Sequence, residues 1–226
     1  AMVSAYNTSG LLEQNRAVLR AADEDVATAA SQLAPVVSWA SSASHSGSDS
    51  SSFDTSASIS LEADYTLYDG GKSSLGLEAA KFSVLATRSK LVSIEQNVLF
   101  EAVTAYLGVI RETENVSLRE NNLSVIREEL RAANDRFEVG EITKTDVALA
   151  EARLAASNSA LAVAKGSYEK AVASYVSAIG EKPGSLEYPN FVPEVPNSLE
   201  SAIAIALTEH PSIDELKNLI KVSEIN

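Results

Sequence analysis

The chain has 226 residues, a net charge of −13 and no cysteine, and only 6% of its residues are aromatic although 45% are apolar. The negative charge argues against a nucleic-acid partner, because binding phosphates requires basic patches. The lack of cysteine excludes a disulfide framework and Cys-ligated zinc, and no apolar run approaches the ~18 residues of a transmembrane helix. A composition rich in Ala and Ser favours helices packed closely along their length.

The first predicted helix runs from about Ser9 to Leu33 and ends before Pro35, whose ring cannot continue a helix. Its large apolar residues recur every seven positions beside a row of small ones, as in a coiled-coil seam. The large row is Leu12, Leu19, Val26 and Leu33, and the small row contains Ala22 and Ala29. We therefore expect a partner helix along this face.

Two strands are predicted between residues 36 and 68, where the period changes. Residues 57–68 alternate between apolar and polar side chains, as a strand with one apolar face does. The apolar set includes Ile59, Leu61 and Leu67, and the polar set includes Ser60, Glu62 and Asp64. A Ser-, Gly- and Asp-rich run from Ser46 to Ser52 predicts the hairpin loop. A flexible Ser-rich linker over residues 40–56 is the alternative interpretation.

Asp69, Gly70 and Gly71 predict a turn into a long helix over residues 72–138, which contain no proline. A helix of this length would span roughly 100 Å. Its apolar row again repeats every seven residues: Ala102, Val109, Val116, Leu123, Leu130 and Phe137. A globular domain of this size cannot enclose such a helix, so it must lie along partner helices.

A short reversal over residues 139–143 separates the long helix from another helix over residues 144–179. Gly140 would end the long helix in a left-handed conformation, and Thr143 or Thr145 would cap the next. The second helix carries a large row (Val147, Leu154, Leu161, Tyr168, Tyr175) and a small row (Ala150, Ser157, Ala164, Ala171, Ala178). The helices of residues 9–33 and 144–179 together nearly match the long helix in length. We therefore expect them to stack end to end beside it.

The C-terminal part of the chain is predicted to begin a second copy of the N-terminal part. Residues 181–197 are Pro-rich and irregular, and two further helices begin at Ser198 and His210. The segment from Ala206 to Ile213 resembles the segment from Ala5 to Leu12. We therefore predict one structural repeat over residues 1–180, a connecting segment over 181–197 and the start of a second repeat over 198–226. The chain would then be a fragment of a longer protein.

Several motifs together resemble the TolC family of outer-membrane efflux proteins. They are Ala5-Tyr6, Arg16-Ala17-Val18-Leu19-Arg20-Ala21-Ala22-Asp23-Glu24, Leu67-Tyr68-Asp69-Gly70-Gly71-Lys72, Ala105-Tyr106, Arg136-Phe137-Glu138-Val139-Gly140-Glu141-Ile142-Thr143, Thr145-Asp146-Val147 and Ala150-Glu151-Ala152-Arg153. The Val-Gly reversal followed by Thr-Asp-Val is the most specific of them. This chain departs from the family at Gly10, where proline is usual.

The resemblance implies a mainly α fold with a β-hairpin, in which long antiparallel coiled-coil helices and two barrel strands form half of a two-repeat protomer. It implies a homotrimer of full-length chains in the lipid of the outer membrane of a Gram-negative bacterium, with a periplasmic helical region. The implied function is a passive duct for drug efflux or type I protein secretion. Its partners would be a periplasmic adaptor and an inner-membrane pump.

The resemblance also assigns roles to residues. It makes Val139, Gly140, Glu141, Ile142 and Thr143 the tip that contacts the adaptor. It makes Asp146 a gating residue that holds the tip closed through polar links to the second repeat. The alternative is that Gly140 and Asp146 are simply a helix stop and a first-turn charge. In the strand, Ile59, Leu61 and Leu67 would face lipid, while Ser60, Glu62 and Asp64 would face the lumen.

No catalytic residue, metal site or cofactor is predicted, and enzyme activity is not expected. His45 and His210 are each isolated from other metal-ligating residues, and no phosphate loop, nucleophile elbow or zinc motif is present. Glu62 and Asp64 could be read as paired carboxylates, but a water-facing lumen explains them better. Two other classes remain open, which are a non-transporting coiled-coil stalk and the periplasmic adaptor itself.

Overall fold

The computed structural model describes residues 1–48, 52–190 and 193–225. Its elements, in chain order, are α1 (Met2–Thr8), α2 (Gly10–Ser31), β1 (Val36–Ser48), β2 (Ser52–Asp64), α3 (Lys72–Glu138), α4 (Lys144–Ile179), α5 (Leu199–Glu209) and α6 (Pro211–Ile225). The prediction of a mainly α fold with one β-hairpin is therefore confirmed. Within the described ranges, none of the helices combines the length and the apolar character needed to cross a membrane.

The long helix α3 has 67 residues, and both of its ends lie where the sequence predicts them. At its start, the Asp69 carboxylate accepts hydrogen bonds from the backbone N–H groups of Gly71 at 2.9 Å and Ser73 at 2.7 Å. These bonds satisfy donors that a helix start leaves without intrahelical partners. Gly70 and Gly71 both have positive φ, which lets the chain turn sharply into the helix.

The seven-residue rows mark the buried faces of the helices. On α3, Ala102, Val109 and Leu123 are buried, Val116 and Leu130 are half-buried, and only the last member, Phe137, is exposed. On α4, every member of the large and the small row is buried or half-buried. The small row allows the helix backbones to approach closely. The coiled-coil prediction is therefore confirmed for α3 and α4.

The N-terminal helix differs from the prediction, because α1 precedes α2 and the two are separated at Ser9. Ser9 is extended (φ −68°, ψ 108°), and its N–H donates to the Ala5 carbonyl at 3.1 Å. The Ser9 hydroxyl then accepts a hydrogen bond from the Leu12 N–H at 3.4 Å, as the N-cap of α2. A hydroxyl that can cap a new helix thus explains why the first helix is interrupted.

The same break occurs between α5 and α6. His210 is extended (φ −74°, ψ 120°), and its N–H donates to the Ala206 carbonyl at 3.0 Å. This match in local geometry agrees with the sequence similarity between the two segments. Gly10 begins α2 as Pro211 begins α6. The division of the chain into repeats over residues 1–180 and 198–226 stays a prediction.

Replacing Gly10 with proline is expected to raise the free energy of unfolding by about 0.5–1 kcal/mol. Proline is favoured at the first position of a helix, and Ser9 already has the extended conformation that precedes proline. A Cβ at Gly10 would meet no atom within 4 Å. Urea denaturation followed by far-UV circular dichroism would measure the change. Gly76→Pro, inside α3, is the control and should destabilise by about 3 kcal/mol; a destabilising Gly10→Pro would contradict the prediction.

The described elements form two compact units, and the first comprises residues 1–13 and 94–197. Its core cluster joins α1, α3 and α4 through Ala5, Ala102, Val109, Tyr175 and Ile179. The hydroxyls of Thr8 and Ser4 donate to the Ile179 carbonyl at 3.0 and 3.4 Å, at the C-terminus of α4. The end of α1 therefore lies against the end of α4, as end-to-end stacking requires. The packing of the rest of α2 stays a prediction.

The second unit comprises residues 14–93 and 198–226. The buried residues on its part of α3 are Ala79, Val84 and Ala86. The Lys221 Nζ of α6 lies 4.8 Å from the centroid of the Phe82 ring of α3, within the range of a cation–π contact. The helix α6 therefore lies beside the N-terminal part of α3.

The antiparallel hairpin of β1 and β2 is part of the second unit, and it corrects three predictions. Ser46–Ser48 and Ser52 belong to the strands rather than to the predicted loop, and residues 49–51 lie outside the described part. The linker alternative is therefore wrong for the described residues. The second strand ends at Asp64, which pairs with Val36, the first residue of β1. Since Pro35 precedes Val36 and has no N–H to continue the ladder, Leu67 lies beyond the strand.

Candidate functional site

The reversal between α3 and α4 begins with a Schellman-type helix stop. Gly140 has a φ of +80°, and its N–H donates to the Phe137 carbonyl at 3.0 Å. The Glu141 N–H donates to the Arg136 carbonyl at 2.9 Å. These two bonds occupy carbonyls that the last turn of a helix leaves without partners. The predicted function of Gly140 as the helix stop is therefore confirmed.

The start of α4 is a capping box formed by Thr143 and Asp146. The Thr143 hydroxyl accepts from the Asp146 N–H at 3.3 Å, while the Thr143 N–H donates to the Asp146 carboxylate at 2.8 Å. The Thr143 hydroxyl also donates to that carboxylate at 2.8 Å. Asp146 is thus the first-turn acid of α4, and its geometry agrees with the simpler of its two predicted roles.

Hydrogen bonds from the backbone and the hydroxyl of Thr143 lower the pKa of Asp146 below its usual value of 3.8. The carboxylate is exposed and stays ionised at neutral pH, and part of it faces solvent. Such a group can keep its cap and still accept a further hydrogen bond from another chain or repeat. The gating role of Asp146 therefore stays a prediction that its geometry allows.

The reversal presents apolar side chains to solvent. Val139 is 72% exposed and Phe137 is 43% exposed, whereas Ile142 is half-buried. The polar groups around them are Glu141 and Thr143, both exposed. These exposed apolar side chains and their polar neighbours, here called the apolar patch, could contact another protein.

Polar pairs across the two helices hold the reversal in register. Lys165 Nζ of α4 lies 3.1 Å from the Glu120 carboxylate of α3. The Asn122 amide donates to the hydroxyl of the buried Ser157 at 3.4 Å. Sliding one helix along the other would break both contacts, so each of them favours this register. These two contacts between α3 and α4 therefore help to fix the position of residues 139–143.

One face of the hairpin carries its large apolar side chains together with the His45–Thr55 pair, and the other face is mostly polar. Trp39 pairs with Leu61, and Ser41 with Ile59; all four lie on one face, where Trp39, Leu61 and Ile59 are 74%, 78% and 83% exposed. On the other face, hydroxyl pairs cross the strands, with Ser42 and Ser58 at 2.8 Å and Ser44 and Ser56 at 2.7 Å. This second face also carries Ser60, Glu62 and Asp64.

Ile59 and Leu61 therefore lie on the opposite face of the hairpin from Ser60, Glu62 and Asp64. An apolar face this exposed needs a cover of lipid or protein. Whether lipid or protein covers this face of the hairpin stays a prediction.

The fold is that of outer-membrane channels. The chain aligns with the Campylobacter jejuni CmeC outer membrane channel with a TM-score of 0.83, at 18% identity, over 99% of this chain and 51% of that one. It aligns with the Neisseria gonorrhoeae MtrE outer membrane channel with a TM-score of 0.81, at 20% identity, over 100% of this chain and 52% of that one.

The sequence defines the family. The outer membrane efflux protein family matches residues 3–181. The outer membrane efflux protein BepC of Brucella suis biovar 1 is 34% identical over 226 residues, which are 100% of this chain and 50% of that protein. This chain belongs to the outer membrane efflux protein family, so the predicted resemblance is confirmed. It spans about half the length of the relatives that it matches.

Proposed function

We propose that this chain is half of a protomer of a passive outer-membrane duct for efflux or type I secretion. The observation that carries the proposal is an exposed, two-faced hairpin between α2 and the long helix α3 in chain order, in a chain of the efflux family. The complete protomer would have two repeats and form a homotrimer. Its helical region would lie in the periplasm of a Gram-negative bacterium, and the duct would carry drugs or proteins without enzymatic chemistry.

The apolar patch at the reversal is the proposed contact with the periplasmic adaptor. Val139 and Phe137 supply exposed apolar area, and Glu141 and Thr143 supply polar groups at its edge. An inner-membrane pump would complete the assembly. A coiled-coil stalk would not require the two-faced hairpin, and an adaptor is not the family to which the sequence belongs. Both alternatives are therefore less favoured than the duct.

The hairpin is the proposed membrane-spanning part of the chain. In hydrocarbon every backbone N–H and C=O must have a partner, so two strands can span a bilayer only as part of a closed barrel. The trimer of two-repeat protomers would close it. The face with Trp39, Ile59 and Leu61 would contact lipid, and the face with Ser60, Glu62 and Asp64 would line the water-filled lumen.

Cysteine labelling in the two-repeat protein tests this function. The chain has no cysteine of its own, so single cysteines at positions 61 and 62 report without background. In outer membranes, an aqueous maleimide should label position 62 several-fold faster than position 61, because only position 62 would face water. Positions 39 and 38 form a matched pair on β1, with 38 expected to react faster. Faster labelling at 61 and 39 would contradict the proposal.

A further inference from the structure

A strap formed by residues 183–188 crosses the outside of α3 and is fixed to it at two points. The Tyr106 hydroxyl donates to the Glu187 carbonyl at 2.7 Å and accepts from the Glu187 N–H at 3.1 Å. At the next residue, a hydrogen bond with the Glu114 carboxylate raises the pKa of the Tyr188 hydroxyl. Leu186 packs on the core cluster between these points. The strap is therefore held in one conformation although it contains no helix or strand.

A cavity of about 530 Å³ lies between the strap, α3 and α4. This volume is within the range of small-molecule sites, which is roughly 300–1,000 Å³. Val109 and Ile110 of α3 form its apolar floor and are themselves 4% and 7% exposed. Tyr168 of α4 and Tyr188 of the strap contribute aromatic rings to the lining. Walls held in place before binding reduce the entropy that a ligand must lose.

The charges of the residues that line the cavity determine which kind of ligand it favours. Glu114 and Glu187 line the cavity, and no lysine or arginine is among the described residues that do so. A carboxylate attracts a cation directly, and a tyrosine ring attracts it through its π face. An anion would meet only repulsion there, and a neutral apolar molecule would gain no attraction from the two carboxylates.

We propose that this cavity binds a monovalent organic cation with an aromatic or aliphatic body. The positive group would lie near Glu114 and Glu187, and the apolar body would cover Val109 and Ile110. Tyr168 would contact the ligand from the α4 side. The inference stands on the cavity alone and does not depend on the efflux function.

Ethidium, an aromatic monocation, is the probe, titrated by fluorescence into the 226-residue chain at about 0.15 M salt, where long-range surface attraction is screened. Saturable binding of one ethidium per chain is expected. The double variant Glu114→Gln with Glu187→Gln should weaken binding about tenfold or more, since it removes both charges and keeps the acceptor for Tyr188. Glu141→Gln, at the exposed reversal, removes the same kind of charge and should leave the affinity unchanged.

A second variant tests the cavity without changing charge. Thr113 lines the cavity and is exposed, so Thr113→Trp can fill the space without disturbing the core. It should abolish ethidium binding while the melting temperature stays close to that of the parent chain. The anion 8-anilinonaphthalene-1-sulfonate should not displace ethidium. The proposal is overturned if no saturable binding occurs, if the double variant and Thr113→Trp bind as the parent does, or if Glu141→Gln weakens binding equally.

Discussion

Replacing Gly180 with alanine is expected to lower the free energy of unfolding by about 2–4 kcal/mol. Gly180 ends α4 with a φ of +87°, which costs an L-residue about 1–2 kcal/mol. A Cβ there would lie 2.9 Å from the Thr8 hydroxyl oxygen and 3.2 Å from the Thr8 Cβ. Because Thr8 is hydrogen-bonded to the Ile179 carbonyl, it cannot move aside without loss. Urea denaturation followed by circular dichroism measures the change.

Gly140→Ala is the matched control for Gly180→Ala. Gly140 has a similar φ of +80°, but a Cβ there would meet nothing within 4 Å. Gly140→Ala should therefore lower the free energy of unfolding only by the cost of the left-handed backbone, about 1–2 kcal/mol. Thr8→Ala combined with Gly180→Ala should cost less than the sum of the single changes, since removing the hydroxyl makes room. Equal losses for Gly180→Ala and Gly140→Ala would mean that α1 does not press on the end of α4.

Replacing Asp146 with alanine is expected to raise the resting conductance of the two-repeat trimer several-fold without loss of the trimer. The family resemblance implies that this carboxylate holds the tip closed, where it would accept a charge-assisted hydrogen bond from the second repeat. Three such links, one in each protomer, would together stabilise the closed duct. The ratio of closed to open ducts depends exponentially on their free-energy difference, so losing the links would shift it strongly. Single-channel recording and antibiotic susceptibility measure the outcome.

Asp69→Ala is the control for the capping contribution of Asp146. Asp69 also accepts backbone hydrogen bonds at a helix start, but it begins α3, far along the chain from the reversal. Both substitutions should lower the melting temperature, and only Asp146→Ala should change conductance. If Asp146→Ala lowers the melting temperature with conductance unchanged, the carboxylate is a helix cap and nothing more, and the gate lies elsewhere.

Acid titration tests the capping contribution of both carboxylates. The Asp146 pKa is lowered by Thr143, and the Asp69 pKa is lowered chiefly by hydrogen bonds from Ser73. A lowered pKa in the folded state means that ionisation stabilises the fold above the usual pKa of 3.8. This stabilisation is lost as the pH falls through the folded-state pKa. As the pH falls below 5, the free energy of unfolding of each alanine variant should therefore decrease less than that of the parent chain.

The bounds of α3 and α4 could be predicted because their signals are local. Gly140 and Gly180 each provide the left-handed residue of a helix end, and Thr143 lies three residues before an acid. Between these positions no proline interrupts the seven-residue rows. The sequence also contains a signal for the break before α2. Ala5 to Leu12 matches Ala206 to Ile213, where a second helix is predicted to begin at His210, and the corresponding break falls at Ser9.

Other features depend on contacts between distant residues. The alternation of residues 57–68 continues past Asp64, but the strand ends there because its partner β1 begins at Val36, after Pro35. The strap is fixed by Tyr106, which is 81 residues from Glu187. No local pattern around Pro183 or Tyr188 reports that contact. The cavity could therefore not be predicted before the helices were placed beside each other.

Conductance across a planar bilayer tests the central claim most directly. The two-repeat protomer should assemble into trimers that give stable single-channel currents, because its strands can close a barrel. The 226-residue chain alone should give none, since the two-stranded hairpin of its described residues leaves two unpaired edges. Absence of channels from the two-repeat protein, or stable currents from the 226-residue chain by itself, would contradict the account.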